Sequence, residues 1–189
     1  MERKQHDIHR EVILKCQSND RAAQNTLYGL YSGAMFNICR RMISDEDEAK
    51  DLLQEVFIDV FTKVDSLKEL STFSAWIKRI TINKCINALK KKRLFVVELT
   101  EESERLVDNH DTLDKAIIGY EAAQVMKAID HISEGCRTVL NLYLFEGYDH
   151  KEISQILGIS ESASKSQYCK AKMKIRSLLS EDKLGSYGN

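Results

Sequence analysis

Lys78, Arg79, Lys84, Lys90, Lys91, Lys92 and Arg93 stand within sixteen residues that hold no acid. Asn83 and Asn87 lie among them. Side chains of this kind neutralise phosphates and hydrogen-bond to bases. Just upstream, residues 45–59 hold seven acids against a single lysine, Lys50. An acidic face and a basic face within fifty residues suit the gripping of two different macromolecules better than they suit a catalytic pocket. A second basic run, five residues between Lys165 and Arg176, is again free of acid, and residues 98–114 hold seven acids against one arginine. The four blocks nearly cancel, leaving a net charge of −1 over 189 residues. Global charge is therefore uninformative here, and charge patterning carries the argument.

Enzyme chemistry lacks a constellation. The five histidines (6, 9, 110, 131 and 150) are dispersed. No Gly-rich phosphate loop, nucleophile elbow or metal-spaced His/Cys set is present, so neither a catalytic centre nor a cofactor is expected. His6 and His9 are close enough to share a metal, but near a fraying end. Cysteines 16, 39, 85, 136 and 169 form no Cys-x-x-Cys pair. Scattered thiols at apolar helix positions point to core packing in a reducing compartment. With no run of eighteen apolar residues, the expected location is the cytoplasm.

The absence of proline and the presence of only 8 glycines favour helices joined by short turns. The periodicity predicts helices over 8–18, with Ile8, Val12 and Ile13 inward, and over 21–31, with Ala22, Leu27, Leu30 and Tyr31 inward. Gly33 then interrupts, and another helix follows over 34–43. Ser44 or Asp45 caps an amphipathic helix whose stripe is Leu52, Leu53, Val56, Phe57, Val60, Phe61 and Val64. Asp45, Glu46, Asp47 and Glu48 suit its positive N-terminal end. Ser71 or Thr72 caps a helix over 73–93. Trp76, Ile77 and Ile80 are apolar on one side of its first half; Ile82, Cys85, Ile86 and Leu89 lie roughly opposite in its second. Such a helix is wedged among neighbours. Asn83 and Asn87 continue the Trp76–Ile80 line and face a polar partner, either a loop or a base. Phe73 and Trp76 are assigned to the core.

Residues 94–111 read as a linker with a brief β-like run at Leu94–Val97, whose acidity would repel DNA. Helices return over 113–131, with Ile117, Ile118, Ala122, Val125, Met126 and Ile129 apolar, and over 133–146, with Val139, Leu140, Leu142, Tyr143, Leu144 and Phe145 apolar. Gly147 ends the latter. Asp149 then caps 150–157, Gly158 turns the chain and Ser160 caps 161–180. Two helices joined by a short Gly turn, the second basic, form a helix-turn-helix pattern. Ile153, Ile156, Leu157 and Ile159 fix their crossing. Ser162, Ser164, Lys165, Ser166, Gln167, Lys170 and Lys172 are types that enter a major groove, read base edges and neutralise phosphates. A plain helical hairpin with a solvated basic face is the alternative.

Two blocks resemble a known family. Residues 152–161 (EISQILGISE), with Lys165, Ser166, Ala171 and Lys172 beyond them, are similar to region 4 of bacterial RNA polymerase sigma factors of the extracytoplasmic-function, sigma-70-like group. Residues 51–57 (DLLQEVF) and 73–83 (FSAWIKRITIN) are similar to region 2 of the same group. The resemblance covers roughly residues 20–93 and 113–180. It implies an all-α protein of two small domains: a region 2 bundle over 1–93, a flexible acidic linker over 94–112, and a region 4 helix-turn-helix domain over 113–183, followed by a tail over 184–189.

The resemblance also implies the roles. Asp51, Gln54 and Glu55 would bind the β′ clamp of core RNA polymerase, and region 4 would meet the β flap. The loop at 64–71 and the following helix would read the −10 promoter element and hold the displaced strand, with Lys78, Arg79, Lys84, Lys90, Lys91 and Arg93 on phosphates. Asn83 and Asn87 would read a base or brace the loop. Ser162, Ser164, Lys165, Ser166, Gln167, Lys170 and Lys172 would bind the −35 element. An anti-sigma factor is a partner the family implies and no residue here proves. Where related sigma factors commonly show TVKSR, residues 163–167 read ASKSQ. Gln167 in place of arginine favours adenine over guanine and removes a charge. The expected function is promoter recognition and initiation with core polymerase, with no stable sequence-specific complex on duplex DNA alone. The alternatives are an operator-binding repressor or activator acting without polymerase, and a helical adaptor with no DNA role.

Overall fold

The computed structural model describes the backbone of residues 2–91 and 122–186, and the side chains of 9–91 and 124–180. The expected linker, the β-like run at 94–97, the apolar positions Ile117 and Ile118, and Arg93 lie outside the described residues. All regular structure among the described residues is helical, and the chain divides into two compact units at Lys91/Lys92.

The first unit holds α1 (Glu2–Gln17), α2 (Arg21–Met42), α3 (Glu46–Lys63) and α4 (Phe73–Lys91). Helix α1 ends where Asn19 takes the left-handed conformation, with φ 60°, which asparagine tolerates better than most residues. Asp20 then caps α2, accepting from the backbone N–H groups of Ala22 and Ala23. Helix α2 runs on through Gly33, where the sequence predicts a break. Its buried stripe of Ala23, Leu27, Tyr31, Met35, Ile38, Cys39 and Met42 passes the glycine without losing phase. Packing along that stripe outweighs the cost of a helical glycine, about 1 kcal/mol. Ala23, not Ala22, is the inward alanine, and Leu30 is 45% exposed.

Of the two caps open for α3, the structure uses Asp45, which accepts from the Glu48 N–H at 2.8 Å. The α3 stripe of Ala49, Leu52, Leu53, Val56, Phe57 and Val60 is buried. Two 3-10 turns, Val64–Ser66 and Leu70–Thr72, then lead into α4. The hydroxyls of Ser71 and Thr72 turn back onto Glu69 instead of forward onto α4. The inward face of α4 rotates along its length, from Phe73 and Ile77, through Thr81 and Cys85, to Ile82, Ile86 and Leu89. The predicted wedging is therefore present. Phe73 is core, but Trp76 and Ile80 are half-buried at the rim. Cys39 and Cys85, distant in sequence, hydrogen-bond across the α2–α4 contact; that bond and burial together push the Cys85 thiol well up. Burial also raises Cys16, to about 11.

The second unit holds α5 (Ala122–Asp130), α6 (Glu134–Leu144), α7 (His150–Leu157) and α8 (Glu161–Ser186). Its core includes Ile129, Ile132, Val139, Leu140, Leu142, Ile153, Leu157, Tyr168, Ala171, Ile175 and Leu179. Leu144 and Phe145, expected to be core, are 41% and 45% exposed because α6 is ending there. Gly147 (φ 77°) follows the helix, and the Tyr148 N–H donates back to Leu142. Asp149 and Glu152 form a reciprocal capping box on α7, a device worth about 1 kcal/mol. Gly158 adopts φ 71° and closes α7 onto Ser154. The Ser160 hydroxyl oxygen accepts from the Ala163 N–H and starts α8, as predicted.

Candidate macromolecule-binding surfaces

The outer face of α3 is built by its period. With the stripe inward, Asp51, Gln54, Glu55, Ile58 and Thr62 must point outward, and all are exposed. At the N-terminus the acids are otherwise engaged. Asp45 is the cap, and Glu46 and Asp47 bind Lys50 at 2.9 and 3.1 Å. Further along, Glu55 and Asp59 share Lys84 of α4 at 3.3 and 3.4 Å. Asp59 also accepts from Lys63 at 3.0 Å, which holds its carboxyl below the usual range, with help from Lys84. Asp51 and Gln54 thus head the open acidic surface. Ile58 stands in it 64% exposed. The residues singled out from the sequence do not include it; an isoleucine off the apolar stripe is the signal that adds it as a candidate.

On α4 the outward line runs through Trp76, Arg79, Asn83, Asn87 and Lys90, which fall within about 80° of one another at 100° per residue. Arg79, Asn83, Asn87, Lys90 and Lys91 are exposed, and Lys78 is half-buried to one side. The Trp76 ring lies 5.7 Å from that of Phe73, tilted at 46°, so an aromatic edge stands at the loop end of the basic line. Lys84 departs from the group. It turns to α3 and spends its charge on Glu55 and Asp59.

The loop from Val64 to Thr72 contains neither glycine nor proline. Its shape comes from hydrogen bonds. Ser66 donates to the Lys63 carbonyl at 2.6 Å and Thr72 to the Glu69 carbonyl at 2.7 Å. Beside it opens a cavity of about 730 Å³, whose lining includes Arg10, Gln17, Lys68, Ser71, Phe73 and Ser74.

In the helix-turn-helix the structure corrects two assignments. Ser164 is fully buried, 2.9 Å from Nδ1 of His150. It joins the first turns of α7 and α8 and does not reach the surface. His150 also stacks on Tyr143 with centroids 4.7 Å apart, and meets Tyr168 edge-on. Lys172 is only 7% exposed and lies 4.7 Å over the Tyr168 ring. Both residues fall on the inward side of α8, where the two-helix contact outweighs their polarity.

Gln167 is half-buried, and its Oε1 points at Gly135 of α6, so the base-reading reach expected of it is partly turned inward. The outward line of α8 is Ser162, Ser166, Cys169 and Met173. Lys165 and Arg176 flank it on one side, and Lys170 and Lys174 on the other. Lys165 pairs with Glu161 at 2.9 Å. A line of small and apolar groups edged by cations on both sides suits a groove with a phosphate backbone on each flank. Lys174 and Arg176 are exposed and join the candidates; their place on the helical wheel is the signal for them.

Comparison with known proteins follows the same division. Residues 27–95 match the family Sigma-70 region 2, and residues 122–175 match Sigma-70, region 4, together more than half of the chain. The chain is 26% identical over 156 residues to the RNA polymerase sigma-H factor of Pseudomonas aeruginosa, covering 78% of this chain and 81% of that one. To the ECF RNA polymerase sigma factor SigW of Bacillus subtilis it is 25% identical, over 88% of this chain and 94% of that one. Among solved structures, the sigma factor RpoE in complex with the anti-sigma factor NepR from Bartonella quintana aligns with a TM-score of 0.51 at 20% identity, covering 82% of this chain and 96% of that chain. No described helix is long and apolar enough to cross a membrane.

Proposed function

The chain belongs to the sigma-70 family, as a sigma factor of the extracytoplasmic-function group that binds core RNA polymerase and directs promoter recognition and initiation, and from that premise we propose how its surfaces divide the work. The observation that carries the reading is the presence of both sigma regions, in order, on one chain.

The open face of α3, headed by Asp51 and Gln54, with Glu55 beside them on Lys84 and Ile58 at its centre, docks on the β′ clamp. A buried apolar contact inside a charged rim gives affinity from the first and orientation from the second. The 64–72 loop meets the displaced strand at the −10 element. Arg79, Lys90 and Lys91 of α4, with Arg93 beyond the described residues, hold its phosphates. Asn83 and Asn87 stand on the same line and reach that strand or the loop. Base stacking on an aromatic edge such as Trp76 adds sequence-tolerant grip. In the second unit, Ser162 and Ser166 approach the −35 bases, with Gln167 behind them turned toward α6, and Lys165, Lys170, Lys174 and Arg176 hold the two backbones. Residues 94–112 link the two activities. The role is non-enzymatic, and the place of action is the cytoplasm, where core polymerase is. An anti-sigma factor, as in the RpoE complex, would act by covering these same faces.

The test is reconstitution. Core polymerase mixed with the purified chain should retain it in gel filtration and start transcripts at a discrete set of promoters from a genomic library. Retention failing, together with tight operator binding by the chain alone, would refute the proposal.

A further inference from the structure

Helix α1 stops short of the segment that matches region 2, which begins at residue 27. It nevertheless touches the 64–72 loop at both ends. At the near end, Nε2 of Gln17 donates to the carbonyls of Val64 at 2.9 Å and Leu67 at 3.0 Å, across 47 and 50 residues of sequence. Those carbonyls bracket the first 3-10 turn, and the Leu67 N–H itself returns to the Val64 carbonyl. An amide nitrogen has two protons, and both are used here. The reversed amide would face two carbonyl oxygens with a third oxygen, so the orientation is fixed by chemistry. Gln17 is held in place by its neighbours: Cys16 beside it is 1% exposed, and Asn19 and Asp20 close the helix end. Just beyond the loop's far end, Tyr31 of α2 lies 3.2 Å from both His9 of α1 and Ser74 in the first turn of α4, which joins α1 to the start of α4 through α2.

Between these ties runs Leu67–Glu69, three residues outside any helix, with Lys68 and Glu69 exposed. This segment has no glycine to permit its turns and no proline to stiffen them. Its register is set by what binds its carbonyls. We infer that Gln17 is a positioning residue for promoter opening: it holds Leu67–Glu69 in the shape that meets the displaced strand. The inference rests on the reading above that this loop meets that strand. Gln17 itself touches the loop backbone, not the nucleic acid.

The experiment compares holoenzymes carrying wild-type chain, Gln17→Leu and Gln17→Glu. Promoters are those the wild-type holoenzyme selects from random duplexes. Three quantities are read: affinity for core, permanganate reactivity of −10 thymines, and the ratio of opening between the selected −10 sequence and its single-base variants. Losing both bonds should slow opening about tenfold, since two net hydrogen bonds are worth about one decade or more. The discrimination ratio should shrink toward one, with core affinity held within about twofold, the range expected away from the docking face. Gln17→Glu keeps the side chain's size but sets a carboxylate against two carbonyls, so its loss should be at least as large.

Wild-type opening and discrimination in either folded variant overturns the inference. So does a fall in core affinity that parallels the fall in opening, because that marks a merely structural role. If instead the wild-type holoenzyme opens DNA without any preference at the −10 bases, the reading of the loop itself fails, whatever the variants do.

Discussion

In α4, Arg79, Asn83, Asn87 and Lys90 all stand outward, and the helix buries apolar groups with Thr81. In α8, the same kind of polar run is split: Ser162 and Ser166 look out, while Ser164 and Lys172 are built into the core. The difference lies in what surrounds each helix. Helix α4 has a large apolar core that fills its inner face. The helix-turn-helix is smaller and crosses its helices close to their first turns, where the His150–Ser164 bond and the Tyr143–His150–Tyr168 cluster do the joining. Polar residues at a close two-helix crossing are thus divided between contact and core, and residue type alone does not tell which.

The largest effect should come from the buried serine. Ser164→Leu removes a partner from His150 and overfills the crossing, so the second unit should lose about 2–5 kcal/mol. Ser162→Leu, on the outward side, should change stability by less than about 0.5 kcal/mol and weaken −35 binding instead. Calorimetry of both variants, with the melting of the first unit as internal reference, checks this. Equal destabilisation by the two would break the contrast.

Next is the α3 face. Ile58→Ser should lower core affinity about tenfold, the loss of a buried apolar contact of roughly 1.4 kcal/mol. The melting temperature should hardly move, because Ile58 is already in water. Fluorescence titration with core polymerase reads the first quantity and thermal melting the second.

The smallest effects separate the basic residues of one helix. Arg79→Ala and Lys90→Ala should each flatten the slope of log affinity against log salt for promoter complexes by about 0.7–0.9. Lys84→Ala should leave that slope nearly unchanged, since its charge already faces Glu55 and Asp59. A Lys84 effect equal to that of Lys90 would mean that this pairing gives way to phosphate in the complex.

The all-helical plan, the Asp149 cap, the α3 stripe and the rotating face of α4 were legible in the sequence, because each depends on spacing within one element; the α3 cap was narrowed to Ser44 or Asp45. The continuous α2 was not, since Gly33 signals a break locally while Met35 and Ile38 restore the phase only through packing. The Cys39–Cys85 pairing, the turn of Lys84 to α3 and the reach of Gln17 to Val64 all join residues far apart in the chain. A helical wheel for α8 would have removed Ser164 and added Lys174 and Arg176. The inward aim of Gln167 needed Gly135 of α6, which no local pattern supplies.

On the proposed division of surfaces, this chain opens promoter DNA only as part of holoenzyme, through the outward line of α4 and the loop before it. Permanganate footprinting of one selected promoter tests it directly. Reactive −10 thymines should appear with core plus chain, be absent with either alone, and fade when Arg79 and Lys90 are both replaced by alanine. Melting by the chain alone, or full reactivity with the double variant, would contradict it.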